Sequence, residues 1–167
     1  LLVASGADLI MDLSSALNAL FEKSKAPHFV QMHAGDIDQA EIRRWAAANS
    51  LVKEQQTVEM VTVDGSTLYL GDSEAEQNSI MDISFVTQNP SFDLLLDLED
   101  EVIHLSPGEV AVPIYYMQRD DLEVGDPVRI ADGAFVRTFT IAAFVRDAQM
   151  NPSIVHSKRS LVHEYDY

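Results

Sequence analysis

The stretch from Pro107 to Asp147 constrains this chain most, because period-two alternation, a short helical segment and two glycine turns follow one another without a break. Val110 and Val112 alternate with small or polar neighbours and stop at Pro113, which predicts a short strand. Tyr116, Met117 and Leu122 then form an apolar set able to cover it. Gly125-Asp126 turns the chain into Val128-Arg-Ile130, and Asp132-Gly133 signals a hairpin. Beyond it, Phe135, Arg137, Phe139 and Ile141 face one way and Val136, Thr138 and Thr140 the other. This is the vocabulary of a scaffold.

The remainder alternates between helical and strand patterns. Leu9, Leu13, Leu17, Leu20 and Phe21 recur at helical spacing between Ala7 and Ser24, the pattern of an amphipathic helix packed on a sheet, and Pro27 ends it. His28 to His33 alternates as a strand closed by Gly35 and Asp36. Asp38 and Glu41 have capping-box spacing ahead of a helix carrying Ile42, Trp45, Ala46 and Asn49. Val52 to Val63 alternates again, Asp64-Gly65 reads as a hairpin, and Ser66 to Leu70 as its return strand. Gly71 to Ser79 reads as a loop or short helix. Ile83, Phe85 and Thr87 predict a strand ending at Asn89-Pro90. Phe92 to Leu98 suits helix or strand, and Val102, Ile103 and Leu105 suit a strand. Ala148 to Pro152 is a break before a last strand within Ile154 to Tyr165, and Glu164-Tyr-Asp-Tyr167 reads as an exposed tail or an approach to a following segment. The fold class is α+β with a mixed sheet, as one domain or two small lobes sharing a core.

With 167 residues the chain is long enough for an ordinary hydrophobic core. Its formal charge of -16, from 27 acidic and 11 basic residues, argues against nucleic acid or an anionic lipid surface as a partner. Without cysteine it has no disulfide, thiolate nucleophile or thiolate zinc site. It begins Leu1-Leu2-Val3, which reads as a piece of a longer protein. No stretch approaches the roughly 20 apolar residues that span a bilayer, and there is no signal-peptide pattern.

Catalytic patterns are absent. His28 and His33 fall on opposite faces of their predicted strand, and His104, His156 and His163 lie on separate elements without ligand spacing. Asp36/Asp38, Asp97/Glu99/Asp100/Glu101 and Asp120/Asp121 sit where turns and helix starts want acids, and the Asp97 to Glu101 run lacks the glycine of a calcium loop. There is no Gly-x-Ser-x-Gly, and no partners for Ser84, Ser106 or Ser157 are evident. No phosphate-binding glycine loop occurs. The expectation is a non-enzymatic domain with no cofactor of its own.

The run Gly108-Glu-Val-Ala-Val-Pro113, the short helix, Val124-Gly-Asp126 and the strand ending Phe144-Val-Arg-Asp147 resemble the extracytoplasmic domain of FtsX-like (MacB-type) ABC transporter permeases. Pro27-His-Phe-Val-Gln-Met-His-Ala-Gly35, Phe85-Val-Thr-Gln-Asn89, Phe92-Asp-Leu-Leu-Leu-Asp97, Met150-Asn151 and Ser157-Lys-Arg159 fit a branch common among Gram-positive permeases, so the resemblance runs along nearly the whole chain. The chain departs from that branch at Ser160, where an aromatic is usual. The resemblance implies a MacB-like periplasmic core domain inserted between two transmembrane helices, on the extracellular side of the cell membrane. It divides into a membrane-proximal helix (1–25), a first α+β part (26–70), an irregular middle (71–106) and a strand-helix-strand part returning to the membrane (107–167). Its implied partners are a second permease subunit, a cytoplasmic ABC ATPase that alone holds ATP, and a peptide or lipoprotein ligand. Candidate contact residues are Arg146, Asp147, Met150, Asn151, Lys158 and Arg159, basic or turn-forming positions in an acidic protein. The alternative is a free-standing secreted module that binds a cationic peptide or a cell-wall partner through its acidic surface.

Overall fold

Two Asp-Gly dipeptides reverse this chain in different ways, and the difference sets the architecture. The computed structural model describes residues 2–72, 82–146, 148–149, 151 and 153–162. In order these form α1 (Leu2–Lys23), α2 (Gln39–Ala48), β1 (Met60–Val63), a 3-10 turn (Gly65–Thr67), β2 (Leu68–Leu70) and β3 (Ile83–Thr87). There follow β4 (Glu109–Pro113), α3 (Ile114–Asp120), β5 (Pro127–Asp132), β6 (Phe135–Val145) and β7 (Ile154–Ser157).

At Asp132-Gly133 the expected hairpin forms. Asp132 pairs with Phe135, and Gly133 supplies a positive φ of 54° at the first of two loop positions. At Asp64-Gly65 it does not. Gly65 stays outside the positive-φ region, and Asp64 instead caps a 3-10 turn: its carboxylate accepts the Ser66 N–H at 2.8 Å and its carbonyl the Thr67 N–H at 2.9 Å. That hydrogen bonding holds the Asp64 carboxyl below its usual value of 3.8. β2 therefore pairs with β5, not with β1.

The seven strands lie in the order β1-β3-β7-β4-β6-β5-β2, with β3/β7 and β4/β6 parallel and the other pairs antiparallel. Consecutive strands β1 and β2 thus occupy opposite edges. Laid flat, those edges would be about 29 Å apart at roughly 4.8 Å per strand. The link from Val63 to Leu68 reaches no more than about 18 Å, so the sheet curls.

Its concave side holds the main core, including Val61, Val63, Leu68, Leu70, Phe85, Val112, Val128, Ile130, Ile141 and Val155. Phe85 and Phe139 meet there at 5.9 Å between ring centroids. β6 reaches this core twice by means of a bulge. Val110 is opposite Ile141 and Ala111 opposite Ala143, so the skipped Ala142 changes the strand's parity and both Ile141 and Phe144 point inward. The reversed parity turns Val145 outward, where it joins Ala111, Leu95 and Leu105 in a second, smaller core. The α+β class with a mixed sheet is as expected; the core on each face of that one sheet is a feature of the structure.

Several expected strands are absent. His28 to His33 is exposed, irregular chain, and among the described residues no strand pairs with it to complete a ladder. Val52 to Glu59 is irregular as well: β1 begins at Met60 because its partner β3 ends at Thr87, whose N–H to the Glu59 carbonyl is the last bond of the pair. Neither Phe92–Leu98 nor Val102–Leu105 forms a helix or strand. Isolated bridges of Leu96 to Val102 and to Arg146 are all the β-pairing among the described residues there, and side-chain amides add to it, with Gln88 bonding the Ile103 carbonyl and the Leu105 N–H, and Gln56 the Phe92 carbonyl. The last strand stops at Ser157, and residues 73–79 and 163–165 fall outside the described part.

α3 begins at Ile114 after Pro113 and ends at Asp121 with a positive φ of 55°. Tyr116 is buried beneath it, and burial, then the neighbouring Tyr115 and Asp120, push its phenol up to about 12 from 10.0. A folded-state value above the unfolded one gives stability that is complete below 10.0 and lost as pH rises through about 12. Tyr116→Phe should flatten that alkaline loss in urea titrations; an unchanged alkaline slope would refute the assignment. Gly71 combines a positive φ of 57° with an added Cβ that would stand 2.8 Å from Leu122 Cδ2. Gly71→Ala should cost about 1–3 kcal/mol by urea denaturation.

Candidate functional site

The C-terminus of α1 is where the helix meets the body of the domain. The Ala26 N–H bonds the Phe21 carbonyl (2.9 Å) and the Lys25 N–H the Glu22 carbonyl (3.2 Å), a Schellman ending with Lys25 at φ 52° where glycine is commonest. Pro27 follows two residues later, as the sequence suggested. Two main-chain bonds then fasten this ending to the irregular middle segment: Leu94 N–H to the Ser24 carbonyl (2.7 Å) and Asp93 N–H to the Lys25 carbonyl (3.0 Å). Ser24 is fully buried.

A charged junction lies beside it. Arg146, just past β6, directs Nη2 to the carbonyls of Asp97 and Leu98 (each 3.2 Å) and pairs with the Asp100 carboxylate. Asp100 also faces Lys23 Nζ of α1 at 3.5 Å. The loop is shaped for this by Asp97, whose carboxylate accepts the N–H groups of Glu99 (2.9 Å) and Glu101 (2.8 Å), and by the left-handed Asp100 (φ 64°). The sheet, the middle loop and α1 are joined here through three side chains.

The rest of α1 does not pack on the sheet as expected. Leu9, Ile10, Met11 and Leu13 are each at least 60% exposed, and Leu17 and Leu20 are half-buried. The apolar stripe is present in the helix, but most of it meets nothing in the described chain. Nor is any described helix long and apolar enough to cross a membrane.

The four candidate contact residues among the described residues, Arg146, Asn151, Lys158 and Arg159, do not assemble into one patch. β7 runs antiparallel to β4, with Ser157 opposite Val110, whereas Val145 of the parallel β6 lies opposite Pro113. Arg146 therefore stands at one end of β4, where Asn151 caps the turn into β7 by accepting the Ser153 N–H (2.9 Å). Lys158 and Arg159 stand at the other, about 13 Å of strand away. Asp147 and Met150 fall outside the described residues.

At the Lys158/Arg159 end is a shallow concavity of about 200 Å³. It exists because β6 starts at Phe135 while its pairing with β4 starts only at Thr140. Arg137, Thr138 and Phe139 form one wall, Gly108 and Glu109 the end, and Lys158 and Arg159 the other wall. Ser157 Oγ donates to the Arg159 carbonyl (2.9 Å) and fixes that turn. Glu109 is the sole acid among the described residues that line it, and its carboxylate accepts the Ser106 N–H at 2.8 Å.

Sequence reasoning had no means of finding Lys23 or Asp100, which act only through contacts 46 or more residues distant. Arg137 carried a signal, since the alternation of β6 already put it on the phenylalanine face. His28, His33 and His104 are exposed and His156 is buried in β7. Among the described residues no three His, Asp or Glu side chains group to hold a metal ion. The class defined by this fold is an α+β domain on a curled mixed sheet with a helix fastened at one end. No family model matches the chain, and neither a curated protein nor a solved structure does.

Arg146→Met should cost about 1–2 kcal/mol, given its half-exposed position, and speed amide exchange at residues 97–101. Lys23→Met should stay within about 0.5 kcal/mol. Equal effects from both, read by urea denaturation and hydrogen exchange, would contradict a junction centred on Arg146.

Proposed function

We propose that this chain is the extracytoplasmic domain of an FtsX-like (MacB-type) ABC transporter permease and performs no chemistry of its own. It stands on the outer side of the cell membrane and couples ATP-driven motion to transport or signalling. Its partners are a second permease subunit, a cytoplasmic ATPase that alone carries ATP, and a peptide or lipoprotein ligand.

The observation that carries this reading is the mounting of α1. The helix has 22 residues, about 33 Å of rigid rod. Among the described residues its hydrogen bonds and ion pairs to the body lie around its last turn, at Ser24, Lys25 and the Lys23–Asp100–Arg146 junction. A free-standing binding domain gains nothing from a long apolar helix that its own core leaves uncovered. A domain driven from the membrane needs a stiff arm whose apolar face is sheltered by neighbours and whose end is fixed to the lobe. Tilting the arm would then move the middle loop and, through Arg146, the end of β6.

The test uses the full-length protein with its ATPase. Arg146→Met should lower transport or signalling several-fold while ATP hydrolysis in detergent persists, and the variant domain should remain folded by circular dichroism. Undiminished transport, or flanking sequence without apolar segments of roughly 20 residues on both sides, would overturn the proposal.

A further inference from the structure

The concavity at the start of β4 differs in charge from the protein around it. Three of the chain's 11 basic residues, Arg137, Lys158 and Arg159, line it. Among the described residues the one acid that lines it is Glu109, with its carboxylate engaged by the Ser106 N–H. On a protein of formal charge -16 this is a local inversion of sign, and a concave wall concentrates its field.

The wall also carries main-chain groups. The Thr140 N–H donates to the Gly108 carbonyl (3.0 Å), on the β4 side of β6. Ile141 bonds Asp126 on the opposite, β5 side. Because successive residues of a strand direct their N–H and C=O groups alternately, those of Thr138 run along the concavity, beyond the point where β4 begins. Thr138 lies opposite Arg129 of β5. This length of β6 is therefore paired on its β5 side, while among the described residues no strand pairs with its other side, where β4 has not yet started. Phe139 and Leu161 add apolar surface within the same lining.

We propose that this groove receives an extended acidic peptide segment, which adds as a short strand beside Val136–Thr138 of β6 and places carboxylates against Lys158 and Arg159. Strand addition to an uncovered edge supplies main-chain bonds, and the side pockets supply selectivity. The guanidinium of Arg159 fits a carboxylate with two parallel N–H bonds, whereas Lys158 acts as a point charge. Arg137, bonded to the Val136 carbonyl (2.9 Å) and 5.0 Å from the Phe135 ring, contributes positive charge to the opposite wall. This inference is independent of the transport reading, since a groove of this kind serves a secreted module equally well.

The test titrates the isotopically labelled chain with a short peptide of alternating Glu and Val, blocked at both ends, following amide shifts by NMR. Saturable shifts are expected at Gly108, Thr138, Ser157 and Arg159. Affinity should fall about tenfold or more in Lys158→Gln/Arg159→Gln, and likewise when Gln replaces Glu in the peptide. Backbone N-methylation of the peptide should also abolish binding, as strand addition requires. Arg43→Gln/Arg44→Gln on α2 should leave the affinity unchanged. Unchanged affinity in the Lys158/Arg159 variant, shifts centred on α2, or inorganic phosphate saturating the groove as well as the peptide does would each overturn the proposal.

Discussion

The shortness of the link between β1 and β2 is the constraint on which the rest of this structure depends. Two strands joined by Asp64 to Thr67 stand at opposite edges of a seven-stranded sheet. A flat sheet would separate them by more than the link can reach, so the sheet must roll until they come near. Rolling encloses Val61, Val63, Leu68 and Leu70 on one side together with Phe85, Ile130 and Val155. Each fully buried side chain of this size contributes about 1.5–3 kcal/mol, which offsets the loss of the direct β1–β2 ladder that an ordinary hairpin would have made. The Asp64 cap, local as it is, holds the link as a 3-10 turn and not as a β1–β2 hairpin.

The convex side is organised on another principle. Residues 88–105 form no named strand; one bridge between Leu96 and Val102, amide side chains and Arg146 bond their polar main chain. A segment held in this way stays irregular yet becomes a firm surface, since Leu95 and Leu105 sit in the second core under it. The end of α1 rests on this segment. Whatever acts on α1 therefore acts on a loop already locked to β6, a mechanical path made of hydrogen bonds and one pair of carboxylate contacts.

Much of the 107–147 region was legible in the sequence, because its structure follows from neighbours in the chain. Pro113 ends a strand and begins a helix, Gly125 and Gly133 take positive φ, and Phe135 to Ile141 alternates by face. The capping of α2 by Asp38, which accepts the Glu41 N–H at 2.9 Å, is equally local. The same alternation misled in His28–His33 and Val52–Glu59, where the pattern of a strand occurs without a second strand beside it. The β6 bulge at Ala142 left no mark in the sequence, as small residues tolerate either parity. The sequence singled out Lys158, Arg159 and Arg146 together, but it could not show that the first two line a concavity while Arg146 belongs to a junction at the far end of β4.

The sequence alone determined the α+β class, the scaffold vocabulary, the strong negative charge and the short-range turns, because each depends on composition or on residues within one turn of each other. Only the tertiary structure decided which Asp-Gly became a hairpin, which alternating stretch found a partner, and which cations came together. Those outcomes rest on pairings between residues tens of positions apart. Their energies come from shared burial and from ladders, and no single segment carries either one by itself.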